Sequence, residues 1–202
     1  MTNPKSPPPP KKSVQLPAAP AANDNGDPPP RLKPLSHAAR CKLFGSFGYV
    51  FKPTPTAKER IEVNTAWLSA NIVVVPIPHL AHINGGVPVK ARLHKLAAPK
   101  FLALFDAWRA QGLTSLILTW NGSYVARFKR GKGGGRPQDL SNHSWGTAID
   151  LNAQWNRLGQ TPAAVGALGS VRPLVAIANR LGFAWGGDFS TPDGMHFELV
   201  RV

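Results

Sequence analysis

Two histidines and one carboxylate have the types and spacing to do chemistry together. His143 and Asp150 lie seven residues apart in the string SNHSWGTAIDLN, and His196 follows in DGMHFEL near the C-terminus. Two imidazoles and a carboxylate supply three donors to a zinc ion and leave its fourth tetrahedral position to water. An ion so held lowers the pKa of that water to about 7 and polarises a carbonyl group, which is the chemistry of a hydrolase. Spacing alone keeps a second reading open, in which the three are polar side chains satisfied by their neighbours.

The elements that must position these residues can be read from periodicity. The run 147–152 (TAIDLN) alternates as a strand does, with Ile149 and Leu151 towards a core and Ala148, Asp150 and Asn152 on the opposite face. In 195–200 (MHFELV), Met195, Phe197 and Leu199 alternate with His196 and Glu198. Glu198 therefore shares a face with His196 and can orient its imidazole from behind. His143 falls in a loop, where Gly146 permits a sharp turn or a close approach. Upstream, Phe101, Leu104, Phe105 and Trp108 predict an amphipathic helix over 98–111, closed by Gly112. The run 171–181 predicts a second, with Pro173 in its first turn and Gly182 at its end. Short β-rich runs (GYVF, NIVVVPIP, VPVKARL) occupy 44–94, with 54–68 less regular and partly helical. SLILTW (115–120) has the length of a strand, and 183–185 pairs with 195–200 across the loop GGDFSTPDG. The class this implies is α+β, a small antiparallel sheet with packing helices.

Composition separates this domain from what precedes it. Eleven of the 21 prolines fall within residues 1–34, among Lys, Ala, Asn and Asp. Such a stretch buries too little to offset its ordering entropy, so residues 1–36 read as a disordered, semi-stiff tether and 37–202 as one domain, with the metal motifs in 120–202. All six Trp and all nine Phe lie in the domain, enough for a full core. The formal charge of +14 implies attraction to polyanions without choosing among nucleic acid, anionic lipid and phosphate-bearing wall polymers. Its clearest cluster is Arg127, Lys129, Arg130, Lys132 and Arg136 around GKGGG, a solvated loop that lacks the phosphate-loop pattern. The single Cys41 excludes an internal disulfide and a Cys-based structural zinc site, and no partner for it can be named from order alone. His79 and His82 lack the Glu of an HExxH motif and read as structural, as do the isolated His37 and His94. No apolar run of signal-peptide or membrane-spanning length is visible, so neither an export signal nor a span is expected.

The strings SNHSWGTAIDLN and DGMHFEL, with the WN and LG between them, resemble the zinc D-alanyl-D-alanine carboxypeptidase and L-alanyl-D-glutamate endopeptidase family. That family includes phage endolysins and shares its fold with the hedgehog signalling domain. The likeness is densest over 120–156 and 185–199, and reaches more loosely towards residue 60. It implies that His143, Asp150 and His196 bind one zinc ion. Asp193, three residues before the last His, is implied as general base, with Asp188 and Glu198 as rivals. Arg127, in SYVARFKRG, is implied to bind a substrate carboxylate or to stabilise an oxyanion, with Arg130 as its substitute. Ser141 is implied to contact substrate; a bare Ser there otherwise caps a loop. Trp145 and Trp185 either wall the cleft or pack in the core. Peptidoglycan stem peptides are the implied substrates of a monomer working at the bacterial wall, after phage-mediated release or unconventional export. Anionic wall polymers are possible further contacts, and no specific nucleic acid is expected. Whether a terminal D-Ala or the L-Ala to D-Glu bond is cut stays open. The alternative is a non-catalytic, zinc-containing module that grips an anionic wall polymer or nucleic acid.

Overall fold

The computed structural model describes residues 31–130 and 136–202. Residues 1–30, most of the expected tether, and 131–135, with Lys132, lie outside them. The described residues form an α+β arrangement with three small antiparallel sheets and four α-helices. In the order of the chain these are α1 (His37–Phe44), β1 (Tyr49–Phe51), β2 (Ile61–Val63), α2 (Thr65–Asn71), β3 (Ile72–Ile77), β4 (Val89–His94), α3 (Ala98–Ala110), β5 (Trp120–Gly122), β6 (Ala148–Leu151), α4 (Arg172–Arg180), β7 (Phe183–Trp185) and β8 (His196–Leu199).

The sheet that matters for chemistry runs β5-β6-β8-β7, antiparallel throughout. On its inner face Ile149 stands opposite Phe197, and the ring of Trp108 from α3 meets Phe197 edge-on at 5.6 Å between centroids. Phe101, Leu104, Phe105 and Trp108 are all buried, as the periodicity of α3 requires, and Trp108 donates its indole N–H to the Leu174 carbonyl of α4 at 3.0 Å. The two helices therefore hold one face of the sheet in a fixed place. The hairpin β3–β4 has no bulge across its six paired positions, and His94 at its end is buried, donating or accepting at Phe44 O (3.1 Å) and Leu96 N (3.2 Å). Since Phe44 O can only accept and Leu96 N only donate, His94 is a satisfied structural imidazole. His79 bonds Asp106 at 2.9 Å and stacks on Phe105, and His82 donates to the Ile117 carbonyl at 3.0 Å, so both are structural as well.

Four sequence readings need correction. SLILTW is not a strand: Leu113–Leu116 forms a turn of 3₁₀ helix, and pairing begins only at Trp120. Its apolar residues instead drop into the core, Ile117 completely. Asn152 does not continue the face of Asp150, because β6 ends at Leu151 and Asn152 turns left-handed with φ 53°. Its buried carboxamide accepts from Leu118 N (2.7 Å) and Thr119 N (3.0 Å) and donates to Leu116 O (2.8 Å), tying three otherwise unpaired backbone groups together. Cys41 has a neighbour after all, His37 Nε2 at 3.4 Å one helical turn away, in a half-buried setting that packs on the core. Residues 31–36, read from composition as tether, carry contacts of their own. Leu32 is buried against Ala184 and Val200, and Ser36 caps α1 by accepting from Ala39 N at 3.1 Å.

Candidate metal centre

Strand register brings two of the three candidate ligands side by side. Asp150 of β6 stands directly opposite His196 of β8, on the face turned away from Trp108. His143 arrives from a turn of 3₁₀ helix, Asn142–Trp145, that ends at Gly146 with φ 68°. A Cβ at Gly146 would lie 2.8 Å from His94 N, so only glycine lets this turn press against the end of β4. Trp145 is driven into the core by the same turn, its indole N–H on the Gly45 carbonyl at 2.8 Å.

The result is a triangle of acceptor atoms. His143 Nε2 lies 3.1 Å from His196 Nδ1, His196 Nδ1 lies 3.1 Å from Asp150 Oδ1, and His143 Nε2 lies 3.2 Å from Asp150 Oδ1. Each imidazole spends its N–H on the outside. His143 Nδ1 donates to the Ser123 carbonyl, and His196 Nε2 donates to Glu198 Oε2 at 2.9 Å. Because a carbonyl and a carboxylate only accept, both outer nitrogens carry the protons, and a neutral imidazole then turns a lone pair inward, towards an Asp150 Oδ1 that can itself only accept. Three lone pairs facing one another in a buried place demand a cation. A proton is one solution: burial opposes the imidazolium, but hydrogen bonds to Asp150 and Glu198 and their charges outweigh it and push the pKa of His196 up to about 10. Burial likewise works against the Asp150 carboxylate, yet the two imidazoles hold it well below the usual carboxylate range. A proton bridges only one edge of the triangle, whereas a metal ion at its centre meets all three corners. His143, Asp150 and His196 thus form a group that can hold a metal ion.

Residues 134–199 match the D-alanyl-D-alanine carboxypeptidase family. This is a family of peptidases, and the matched third of the chain contains all three acceptors together with Ser141, Asp193 and Glu198. Arg127 and everything before it lie outside the match. No curated protein and no solved structure matches the chain.

Around the triangle the matched segment and the rest of the chain form a cleft of about 850 Å³. Asp193 lines it, held at the backbone by Asp193 N to Gly186 O (2.8 Å) and His196 N to Asp193 O (3.0 Å). Gly186 has no room for a side chain, since a Cβ there would sit 2.3 Å from the Asp193 carbonyl. Burial raises the Asp193 carboxyl above the usual carboxylate range, against the pull of His196, and its Oδ1 has no partner. Glu198 is buried and engaged, accepting from His196 and from Asn142 Nδ2, on the side of the imidazole away from the triangle. Asp188 is drawn into an ion pair with Arg31 at 3.7 Å. Arg127 reaches the cleft with its Nη1 on the Phe128 carbonyl at 3.1 Å, and Asp150 and Asp193 are among the charges acting on it. Arg130 and Lys129 also line the cleft, while Arg136 turns to Asp139 at 3.8 Å. Ser141 lines it too, and its hydroxyl makes no capping bond to the turn that follows. Trp185 is buried with its indole N–H on Gly194 O at 2.8 Å, so neither it nor Trp145 serves as a cleft wall among the described residues.

Sequence reasoning missed three groups. Asn142 is adjacent to His143 in the motif and could have been suspected from that alone. The Ser123 carbonyl and the guanidinium of Arg40, which lines the cleft from α1, carry no signal in sequence.

Proposed function

We propose that this protein is a zinc-dependent peptidase that hydrolyses peptide bonds in peptidoglycan stem peptides, at a terminal D-Ala or between L-Ala and D-Glu. The observation that carries the reading is the triangle of His143 Nε2, His196 Nδ1 and Asp150 Oδ1, with the outer nitrogen of each imidazole on an acceptor. Nitrogen and oxygen ligands of a tetrahedral zinc ion, at about 2.0 to 2.2 Å from the metal, stand about 3.3 Å from one another. The edges of 3.1 to 3.2 Å suit that spacing, and the donor set of two imidazoles and one carboxylate suits zinc. The outward bonds to Ser123 O and Glu198 are those that metal-bound histidines use to fix their tautomer. The peptidase-family match supports the reaction class, and membership would bring a hedgehog-type fold, while the composition of residues 1–36 supports a disordered Pro-rich tether ahead of the domain.

On this reading His143, Asp150 and His196 hold the ion, which when bound lowers the pKa of water and polarises the scissile carbonyl. Asp193 takes the proton of the attacking water on its carboxylate. It then delivers that proton to the departing amine as the C–N bond breaks. A carboxyl lifted by burial is suited to both duties, because it accepts and releases nearer neutrality than an exposed one. Glu198 faces the outer nitrogen of His196 and orients the ring rather than touching the reacting atoms. Arg127 offers its guanidinium to the developing oxyanion or to a substrate carboxylate, and Ser141 offers a hydroxyl to the peptide.

The test is mass spectrometry of purified muropeptides after incubation with protein carrying one equivalent of zinc. Scission of one stem-peptide bond is expected. Intact muropeptides with zinc bound would overturn the peptidase reading and leave a zinc-containing binding module.

A further inference from the structure

The cleft does not end at the triangle. A second hollow of about 650 Å³ opens beside Asp150, and the two share Arg130, Asp150, Leu158 and Met195 as a common border. Sheet order gives the direction. Asp150 on β6 stands opposite His196 of β8 on one side and opposite Gly122 of β5 on the other. From Asp150 the first lobe extends across β8 to Glu198 and Asp188, whereas the second extends towards β5, where Asn121 lines it. One corner of the triangle therefore stands where two lobes of a single groove meet. Each lobe falls within the roughly 300 to 1,000 Å³ that enclose a whole small ligand. A site that trims one terminal residue needs room beyond the scissile bond for that residue alone.

The second lobe is built on the segment 153–160, which follows β6 and is pinned at the backbone. Buried Asn156 donates from Nδ2 to the Asn152 and Gly169 carbonyls, both at 2.9 Å, and its own carbonyl accepts from Met195 N at 3.1 Å. Gly159 N donates to the Pro192 carbonyl at 2.7 Å. This fixed backbone carries Gln154, Arg157 and Gln160 to the lobe, exposed and with no side-chain partner among the described residues. Asn121 completes the set. Its Oδ1 accepts from Thr119 Oγ1 at 3.0 Å and Ala153 N at 2.9 Å, which leaves its NH₂ group to the lobe. Carboxamides both donate and accept and a guanidinium donates, so together they match the alternating N–H and C=O groups of an extended peptide. Free polar side chains are common on any surface; these four are held by anchored backbone at the border of the triangle.

Resting on the peptidase reading above, we propose that Asn121, Gln154, Arg157 and Gln160 form a peptide-binding subsite on one side of the scissile bond, and that the protein therefore cuts the stem internally, between L-Ala and D-Glu, instead of trimming the terminal D-Ala. The substrate crosses the sheet from one lobe to the other, with the bond to be cut at their junction.

The experiment gives full-length, zinc-loaded protein three substrates: a muramoyl pentapeptide, the same pentapeptide without its sugar, and a muramoyl dipeptide ending at D-Glu. Products are read by mass spectrometry and binding by fluorescence anisotropy of labelled peptides. The wild type should split the muramoyl pentapeptide between L-Ala and D-Glu. The triple variant Gln154→Ala, Arg157→Ala, Gln160→Ala should raise KM for that substrate by about tenfold with kcat little changed. The penalty should vanish for whichever truncated substrate no longer fills the second lobe, an outcome that a general loss of structure would not produce. Arg157→Ala alone, should the triple variant fold poorly, should show the same pattern with a smaller rise. Release of terminal D-Ala alone overturns internal cutting. An unchanged KM in the variants, or an equal penalty on all three substrates, overturns the subsite. If nothing is cut, yet the wild type binds the muramoyl pentapeptide more tightly than one truncated form and the variants lose that difference, the peptidase reading fails and the subsite stands.

Discussion

The two faces of the β6–β8 pair are made by alternate residues of the same strands and have opposite economies. On one face Ile149, Leu151, Phe197 and Leu199 are buried among hydrocarbon and rings, with α3 packed across them. On the other, Asp150, His196 and Glu198 are also withdrawn from water, but every contact among them is polar. Burial of the first face stabilises the fold by the area it removes from water. Burial of the second costs desolvation, offset only while each charge has its partner. The period of two along a strand is what lets one short segment serve both purposes without mixing them. Site and core should therefore fail separately when changed.

Removing a corner of the triangle should produce the largest effect. Asp150→Ala deletes one acceptor and the negative charge that offsets part of the ion's charge, so bound zinc and peptide cleavage should both be lost at stoichiometric metal and return in part with excess zinc. The core face is untouched, so the circular dichroism of the folded state should persist. Zinc retention at one equivalent by Asp150→Ala would remove it from the ligand set. Asp193→Asn comes next. The amide keeps the shape and loses the proton acceptor, for an expected fall in kcat of about 10² to 10⁴ with zinc content unchanged. Near-native turnover would transfer the role of base to Asp188, and loss of zinc would make Asp193 a ligand.

The core face supplies the converse. Phe197→Ala leaves a cavity beneath Trp108 and should destabilise the fold by about 3 to 5 kcal/mol in urea titration. Zinc content and turnover per folded molecule should change little, since Phe197 points away from the triangle. A large loss of zinc affinity in the molecules that remain folded would show that the two faces are coupled.

What could be read from sequence follows the same division. His143, Asp150 and His196 sit in strings whose alternation and Gly146 report their own local structure, and α3 states its buried stripe in every turn. Those features are local, so periodicity finds them. SLILTW misled because a fully apolar run of that length fits a strand or a buried connection equally, and only the anchoring of Leu118 and Thr119 by Asn152, more than thirty residues away, decides between them. Arg40 was out of reach for a related reason. Nothing in HAARCKLF marks one arginine as the one that will be buried, because that depends on Trp145 docking at Gly45, a hundred residues along the chain. Composition made residues 31–36 look like the Pro-rich stretch before them, and one buried Leu32 is too little apolar signal to say otherwise.

The smallest effect should come from Glu198, and it sharpens the comparison most. Its Oε2 accepts from both His196 Nε2 and Asn142 Nδ2, and no base chemistry is needed to explain its burial. Glu198→Gln can keep an amide oxygen in that place, so both hydrogen bonds survive while the charge is lost. Zinc affinity should then fall by about tenfold, the low end of what outer partners of metal-bound histidines contribute, with kcat on zinc-saturated protein nearly unchanged. Glu198→Ala removes the acceptor as well. It frees the His196 ring to turn and leaves Asn142 Nδ2 and His196 Nε2 buried without a partner, so the fall should approach a hundredfold and stability should drop with it. Competition with a chelator of known affinity measures the first quantity, and turnover at saturating zinc the second. A general base would behave the other way, with zinc affinity kept and kcat lost in both variants. The pattern across the two substitutions, rather than either value, separates a group that orients an imidazole from one that moves a proton.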